Sequence, residues 1–396
     1  MARLLVTDGQ ERAALAVVRS LGRAGHRVFV CSPRSRSVAG ASRYAAGEAR
    51  APDPLADPAA FVAAVARLSQ AWRIEVLLPI TDAALLALLP ERDGFPQVRV
   101  PFPPAAVVRR LANKAAVLER AAALGLATPA QHVLACPAPR REALPEHVTF
   151  PLVVKPARSL AETNSHRVKL PVRHAADRIS LERAVTALPP EAYPVLLQQR
   201  VDGPGIGVFL LLWEGELLAL FAHQRLREKP PGGGVSVYRE SIAADPDLVA
   251  RSRALLEALG WCGVAMVEYK LDAATGVPHL MEVNGRFWGS LQLAVDAGVD
   301  FPALLVAAAL GERPAPVHHY RIGVRSRWEW GEVDHLLARL RRSPETLGLP
   351  AGKGGRWQAV RELVASWGSG SRNEVCRMSD PLPFVRESLE WCGRQS

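Results

Sequence analysis

Residues 263–298 read GVAMVEYKLDAATGVPHLMEVNGRFWGSLQLAVDAG. Two apolar runs, 264–271 and 278–283, are joined by Asp272-Ala-Ala-Thr-Gly276, which supplies the turn residues of a β-hairpin. A hairpin symmetric about Thr275 sets Glu268 directly across from Glu282, where like charges repel. Strand side chains alternate faces, so Glu282, Asn284 and Arg286 project from one side if the strand stays extended that far. A single Glu in a strand is usually solvated. The joint pattern of Glu, fourteen positions, then Glu-x-Asn-x-Arg inside apolar flanks is costly unless the charges are paired. Two carboxylates and a carbonyl oxygen form a hard oxygen site, suited to Mg²⁺ carrying nucleotide phosphates rather than to a soft metal. Arg286 is placed to grip a phosphate.

The rest of the chain narrows the alternatives. At 396 residues, 49% of them hydrophobic, it can bury two or three cores and is expected to form more than one domain. No apolar run approaches the roughly 20 residues of a spanning helix, and residues 3–7 open directly as a strand rather than an export leader. Cys31, Cys136, Cys262, Cys376 and Cys392 are scattered, with neither zinc-motif nor disulfide-framework spacing, which predicts a reduced, cytoplasmic protein. The net charge of +10 is carried almost wholly by arginine. Without a basic run interleaved with aromatics, it argues against a nucleic-acid partner. Only six lysines occur, at 114, 155, 169, 229, 270 and 353, so each one merits a reason.

Residues 1–104 alternate strand and helix, the pattern of a Rossmann-like α/β layer with a parallel sheet. Strands are expected at 4–7, 28–31 and 76–79, and helices at 11–24 and 58–71. G-x-G-x-x-G is missing after the first strand, and no G-x-x-x-x-G-K-[ST] loop exists. Thr81-Asp82 follows the third strand, at the carboxyl end where open α/β sheets bind ligands, although Asp82 would serve equally as a helix cap. PFPP at 101–104 marks a boundary. Residues 105–124 then read as one helix stopped by Gly125. Phe150-Pro-Leu-Val-Val-Lys155-Pro156 carries a lysine at a strand exit, where the proline disfavours helical geometry for Lys155. Residues 223–236 read as a basic loop, with Arg225, Arg227 and Lys229 for charge and three glycines for mobility, able to close over an anion. A helix is expected at 243–260. In residues 316–396 the tryptophans at 328, 330, 357, 367 and 391 are expected to pack or form an interface, and His318-His319 to lie on the surface.

The segment MEVNGR at 281–286 resembles the E-x-N-x-R signature of the ATP-grasp superfamily, and Glu268 matches that family's upstream metal position. The likeness extends over residues 100–312. It implies a pre-ATP-grasp α/β domain at 1–104, an ATP-grasp domain at 105–315 and a helical extension at 316–396. The ATP-grasp domain would divide into a small lobe at about 130–200 and a large lobe at about 201–315. This is a mixed α/β and α+β architecture. Lys114 and Lys155 would hold the α- and β-phosphates. The run Gln198, Gln199, Arg200, Val201, Asp202 would form the adenine hinge, with Asp202 on the ribose. Glu268, Glu282 and Asn284 would bind Mg²⁺, with Mn²⁺ as the alternative, and Glu268 and Glu282 would also contact the nucleotide. Arg286, Lys155, Arg225 and Arg227 would act in catalysis. The family usually places a glycine-rich loop after Lys155. This chain has ARSLAETNS at 157–165, so Arg158, Ser159, Thr163, Asn164 and Ser165 are the groups available to cover the phosphates.

The activity implied is that of an ATP-dependent carboxylate–amine ligase of the carbamoyl-phosphate-synthase-like branch, working through an acyl phosphate. Its partners would be a small-molecule or peptide acid and an amine, with no membrane and with a homodimer as the assembly. The alternative is an ATP-binding regulatory protein with little turnover, for which the missing glycines and Gln199 in place of the usual acid argue. A carboxylating or carbamoyl-phosphate-forming subunit ranks lower, since no biotinyl or glutaminase segment is visible.

Overall fold

The computed structural model describes residues 1–136, 144–145, 147–163, 166–344, 346–349, 355–367 and 370–395. The N-terminal layer is a parallel sheet in the order β3-β2-β1-β4, built from β1 (Arg3–Val6), β2 (Arg27–Ser32), β3 (Ala45–Arg50) and β4 (Val76–Leu78). Leu4, Leu5 and Val6 are wholly buried, as expected for a parallel strand covered on both faces. Helices α1 (Arg12–Arg23) and α2 (Pro58–Ala71) connect strands of this sheet, and α3 (Asp82–Leu88) follows β4. β3, sequence AAGEAR, has no strand-like apolar alternation and was not legible as one; it lies at the sheet edge beside β2.

The single helix expected at 105–124 is two helices, α4 (Ala105–Leu111) and α5 (Lys114–Ala123). Asn113 breaks the run by acting as N-cap, its Oδ1 accepting the Ala116 N–H. The break puts Lys114 at the first position of α5. Its backbone N–H there donates to the Ala157 carbonyl at 2.8 Å, just beyond the Lys155 strand.

The second sheet is antiparallel, in the order β5-β10-β6-β9. Its strands are β5 (Gln131–Leu134), β6 (Leu152–Pro156), β9 (Arg173–Ala175) and β10 (Val195–Gln199), with a separate hairpin of β7 (Leu160–Glu162) and β8 (Arg167–Lys169). Helix α6 (Arg178–Thr186) covers one face through Leu181, Ala184 and Val185.

The third sheet has seven strands in the order β15-β14-β11-β12-β13-β16-β17. They are β11 (Gly205–Trp213), β12 (Glu216–Lys229), β13 (Val235–Ser241), β14 (Gly263–Leu271), β15 (Pro278–Asn284), β16 (Arg325–Arg327) and β17 (Arg372–Asn373). Helix α7 (Pro246–Ala258) packs Leu255 and Leu256 into the core that includes Leu210, Val267 and Tyr269. The opposite face carries Phe209 and Phe221 into a core shared with Trp288, α1, α8 (Leu291–Ala297) and α9 (Phe301–Ala309). That shared apolar core, rather than a linker, ties the N-terminal layer to the large sheet. Among the described residues no single helix is long and apolar enough to cross a membrane.

The expected basic loop at 223–236 is largely strand. β12 continues to Lys229 and β13 resumes at Val235, leaving residues 230–234 as the turn. The charges do not stay free: Arg225 pairs with Glu228, Arg227 with Glu332 and Lys229 with Asp334. Lys353, Asn164 and Ser165, singled out in the sequence, lie outside the described residues.

Residues beyond 316 add more than helices α10 (Glu329–Arg341), α11 (Arg356–Trp367) and α12 (Leu382–Gln395), since β16 and β17 extend the large sheet. Trp330 stacks on Trp391 at 4.2 Å, Trp328 lies beneath the Arg12 guanidinium at 3.9 Å, and Trp357 is 85% exposed. His318 and His319 are exposed, as expected.

The extension docks through buried charge, and one group makes that docking pH-dependent. Glu387 is buried and accepts the Trp328 indole N–H at 2.8 Å, and desolvation pushes its carboxyl up from 4.5 to about 7. A carboxyl with a raised folded value favours the protonated fold, so its penalty grows as pH rises from 4.5 to 7 and is full above that. Glu387→Gln is therefore expected to stabilise the protein by about 2–3 kcal/mol at pH 8 and by less than about 1 kcal/mol at pH 5, read by urea denaturation at both. The same gain at both pH values would contradict this origin.

Candidate active site

The ladder of the large sheet places one row of residues on one face. Glu282 faces Glu268 across β15 and β14, Glu268 faces Gly207 on β11, and Gly207 faces His223 on β12. The hairpin register expected from the sequence is thus the observed one at the two acids. Each acid is neutralised differently. Glu268 Oε2 meets Arg225 at 2.5 Å, and Arg225 reaches it across β11 because Gly205 has no side chain: a Cβ there would lie 2.8 Å from Arg225 Cδ. Burial, with the nearby charges of Glu282 and Glu228, raises the Glu268 carboxyl despite that ion pair.

Glu282 is held the other way. Burial alone would raise it, but Lys114, Lys155, the Asn284 amide and Arg286 bring it down to about 2. Lys114 Nζ lies 3.6 Å from Glu282 Oε2 and 2.7 Å from Ser159 Oγ. Lys155 comes from β6 of the second sheet. Burial lowers its ammonium, opposed by Glu282 and Glu268, and among the described residues its Nζ has no hydrogen-bond partner.

Arg286 is oriented by three contacts. Nε donates to Asp82 Oδ2 at 2.9 Å, NH1 to the Phe287 carbonyl at 3.0 Å and NH2 to Asn284 Oδ1 at 3.1 Å. Asn284 in turn donates Nδ2 to Glu282 Oε1 at 3.3 Å, so its amide links the acid to the arginine.

The segment expected as the hinge lies where β10 leaves the second sheet. Gln198 is buried on the Lys155 face and donates to Gln131 Oε1 at 2.8 Å. Gln199 N–H is taken by Ala130 and Arg200 N–H by Pro151. Among the described residues the Gln199 carbonyl and the Val201 N–H have no partner, which leaves one acceptor and one donor side by side at the strand end. Arg200 is held by Asp202 and by the Gly348 carbonyl, both at 2.8 Å, while Asp202 remains largely exposed.

Beside Glu282, between the end of β15, α4, α5 and the N-terminal layer, is a cavity of about 500 Å³. Lys114, Glu282 and Asn284 line one end, and Asp82 and Leu86 of the N-terminal layer, Arg109 of α4 and Arg158 and Glu162 of the β6–β7 segment line the rest. Thr163 is bonded to His166 rather than turned to the acids.

Arg227 is not brought to the carboxylates. A register shift in β12 after Arg225 turns it towards the extension, where it donates to Glu332 and Ser366 and lies 4.5 Å over the Tyr238 ring. Conversely, Asp82 was seen in the sequence only as a ligand or cap candidate. The cap is Thr81, whose Oγ1 accepts the Ala84 N–H at 3.2 Å, and this frees Asp82 for Arg286. His174 was missed. It sits opposite Val153 on the Lys155 face, where partial burial and then Arg200, Lys155 and Lys270 lower its ring; nothing in RHA marks it.

The donor set fits a nucleotide and its divalent cation. Two facing carboxylates supply hard oxygens but no complete cage, as Mg²⁺ shared with phosphates requires, and three cationic side chains converge on the same space.

Two antiparallel sheets joined through β10 and β11, with Lys155 on one and the paired acids on the other, form the arrangement of the ATP-grasp fold. The comparisons agree on the fold, and residues 191–330 match the family model described as ATP-grasp in the biosynthetic pathway with Ter operon. The fold is similar to that of L-amino acid ligase from Bacillus licheniformis, with a TM-score of 0.60 and 21% identity over 78% of this chain and 74% of that one. N5-carboxyaminoimidazole synthetase from Staphylococcus aureus, solved with ADP, gives 0.61 and 12% over 82% and 80%. The biotin carboxylase domain of Hydrogenobacter thermophilus 2-oxoglutarate carboxylase, solved with MgADP and bicarbonate, gives 0.61 and 14% over 82% and 73%. No curated protein matches the sequence.

Proposed function

We propose that the protein is an ATP-dependent ligase that activates a carboxylate as an acyl phosphate and couples it to an amine, releasing ADP and phosphate. The observation that carries this reading is the pair Glu268 and Glu282, held face to face on one ladder row and ringed by Lys114, Lys155 and Arg286. The Gln199 carbonyl and the Val201 N–H suit the edge of an adenine. Lys155, a point ammonium without a hydrogen-bond partner among the described residues, suits the phosphates, and Lys114 is beside it. Mg²⁺ bound by Glu268 and Glu282 would screen the polyphosphate from the incoming acid.

The cavity reaching to Asp82 has room for that acid. Its carboxylate oxygen attacks the γ-phosphorus as the bond to ADP breaks, with Arg286 and Lys155 facing the charge on the transferring phosphoryl group. The amine nitrogen then adds to the acyl carbon, phosphate leaves with the carbonyl–oxygen bonding pair, and a proton is lost from nitrogen. No nucleophilic side chain is needed. Orienting reactants this way can recover roughly 7–11 kcal/mol of barrier.

The test is ADP and phosphate formation by the pure protein with Mg²⁺-ATP and a pooled library of acids and amines, with product masses read in parallel. ADP that depends on one acid and one amine, together with a condensed mass, is the expected result. Tight ATP binding without turnover across the library would overturn the ligase reading and leave nucleotide binding as the function.

A further inference from the structure

Arg286 belongs to the large lobe, but the carboxylate that orients it comes from the N-terminal layer, 204 positions away in the chain. Its guanidinium has five N–H groups. The contacts to Asp82, Phe287 and Asn284 use three of them, one on each nitrogen. One N–H on each terminal nitrogen is left to donate to a phosphoryl oxygen. Asp82 takes Nε and is the one charged acceptor of the three, the other two being a backbone carbonyl and an amide.

Asp82 is itself fixed from behind. Thr81 N–H donates to Asp8 Oδ2 and Thr81 Oγ1 to Asp8 Oδ1, both at 3.2 Å, and Ile80 N–H reaches Asp8 Oδ2 at 3.4 Å. Asp8 is buried in the β1–α1 turn with φ of 55°, a left-handed conformation uncommon outside glycine, and also accepts the Thr7 hydroxyl at 2.5 Å. The two turns at the carboxyl ends of β1 and β4 are therefore bolted together, and among the described residues Asp82 is their one side chain hydrogen-bonded to the large sheet's arginine, with Glu11 of the first turn adding its charge.

We infer that Asp82 is a positioning residue for phosphoryl transfer: the N-terminal layer, through the Asp8–Thr81–Asp82 relay, aims Arg286 at the transferring group. This rests on the nucleotide reading above. It makes the N-terminal layer part of the catalytic arrangement and not only a wall of the substrate cavity. The consequence is a selective defect. Without the Asp82 carboxylate, nucleotide binding in the ground state persists, while affinity for a transition-state-like phosphoryl group falls.

The experiment measures dissociation constants of full-length protein for Mg²⁺-ADP alone and for Mg²⁺-ADP with aluminium fluoride, a planar mimic of the transferring group, so no acid or amine is needed. In Asp82→Asn, ADP affinity is expected within about twofold of wild type, and the fluoride-dependent tightening is expected to drop about tenfold or more. Asp82→Glu should recover part of it. Thr81→Ala, which keeps the carboxylate but loosens its seat, should fall between. Undiminished tightening in Asp82→Asn, equal loss of plain ADP affinity, or no fluoride-dependent tightening in wild type would each overturn the inference. Failure of wild type to bind Mg²⁺-ADP at all would instead overturn the nucleotide reading beneath it, a distinguishable result.

Discussion

Glu282→Ala is expected to reduce Mg²⁺-dependent ADP formation by about a thousandfold or more, the scale of removing an anchor for a metal-stabilised transition state. Glu282 is one of the two facing acids and also the counter-charge that Lys114 and Lys155 share. Removing it takes away an oxygen proposed for Mg²⁺ and leaves the two lysines without their shared counter-charge. A second effect follows, on stability. The carboxyl falls from 4.5 to about 2 in the folded protein, so its contribution is present above pH 4.5 and lost as pH falls towards 2. The expected cost of the substitution near neutral pH is about 2 kcal/mol. Wild-type turnover in Glu282→Ala would remove it from the site. Unchanged stability would show that the lysines do not depend on it.

Lys155→Ala is expected to weaken Mg²⁺-ATP binding by about 10–100-fold, the value of a charge-assisted contact to phosphate, and to slow turnover further. Its stability effect should have the opposite sign to that of Glu282→Ala. Burial lowers the Lys155 ammonium, so folding works against the charged form, and the neutral variant should melt at or above the wild-type temperature. Calorimetric titration and a thermal melt on the same preparation separate the two effects. Unchanged ATP affinity would exclude Lys155 from the phosphates.

The features legible in the sequence were those written into short segments. The Glu268–Glu282 register followed from hairpin turn chemistry and strand alternation, and Lys155 from a strand exit before proline. What was not legible depends on contacts distant in sequence. Like charges across a hairpin read as repulsion. The cations that reverse it arrive from α5 and β6, and Arg225 arrives across Gly205, a crossing that no local pattern records. The basic stretch at 223–236 looked free because its counter-charges, Glu332 and Asp334, lie some hundred positions away on α10. Asn113 carried a local capping signal that the long apolar periodicity of 105–124 outweighed. β3 had no local signal at all.

The most direct measurement follows ¹⁸O from the acid. With a productive acid labelled in its carboxylate, turned over with Mg²⁺-ATP and its amine, the phosphate released should carry one ¹⁸O per turnover, because the attacking oxygen stays on phosphorus when the amine displaces it. Unlabelled phosphate, with amide formed all the same, would contradict an acyl phosphate and with it the chemistry assigned to Glu268, Glu282, Lys155 and Arg286.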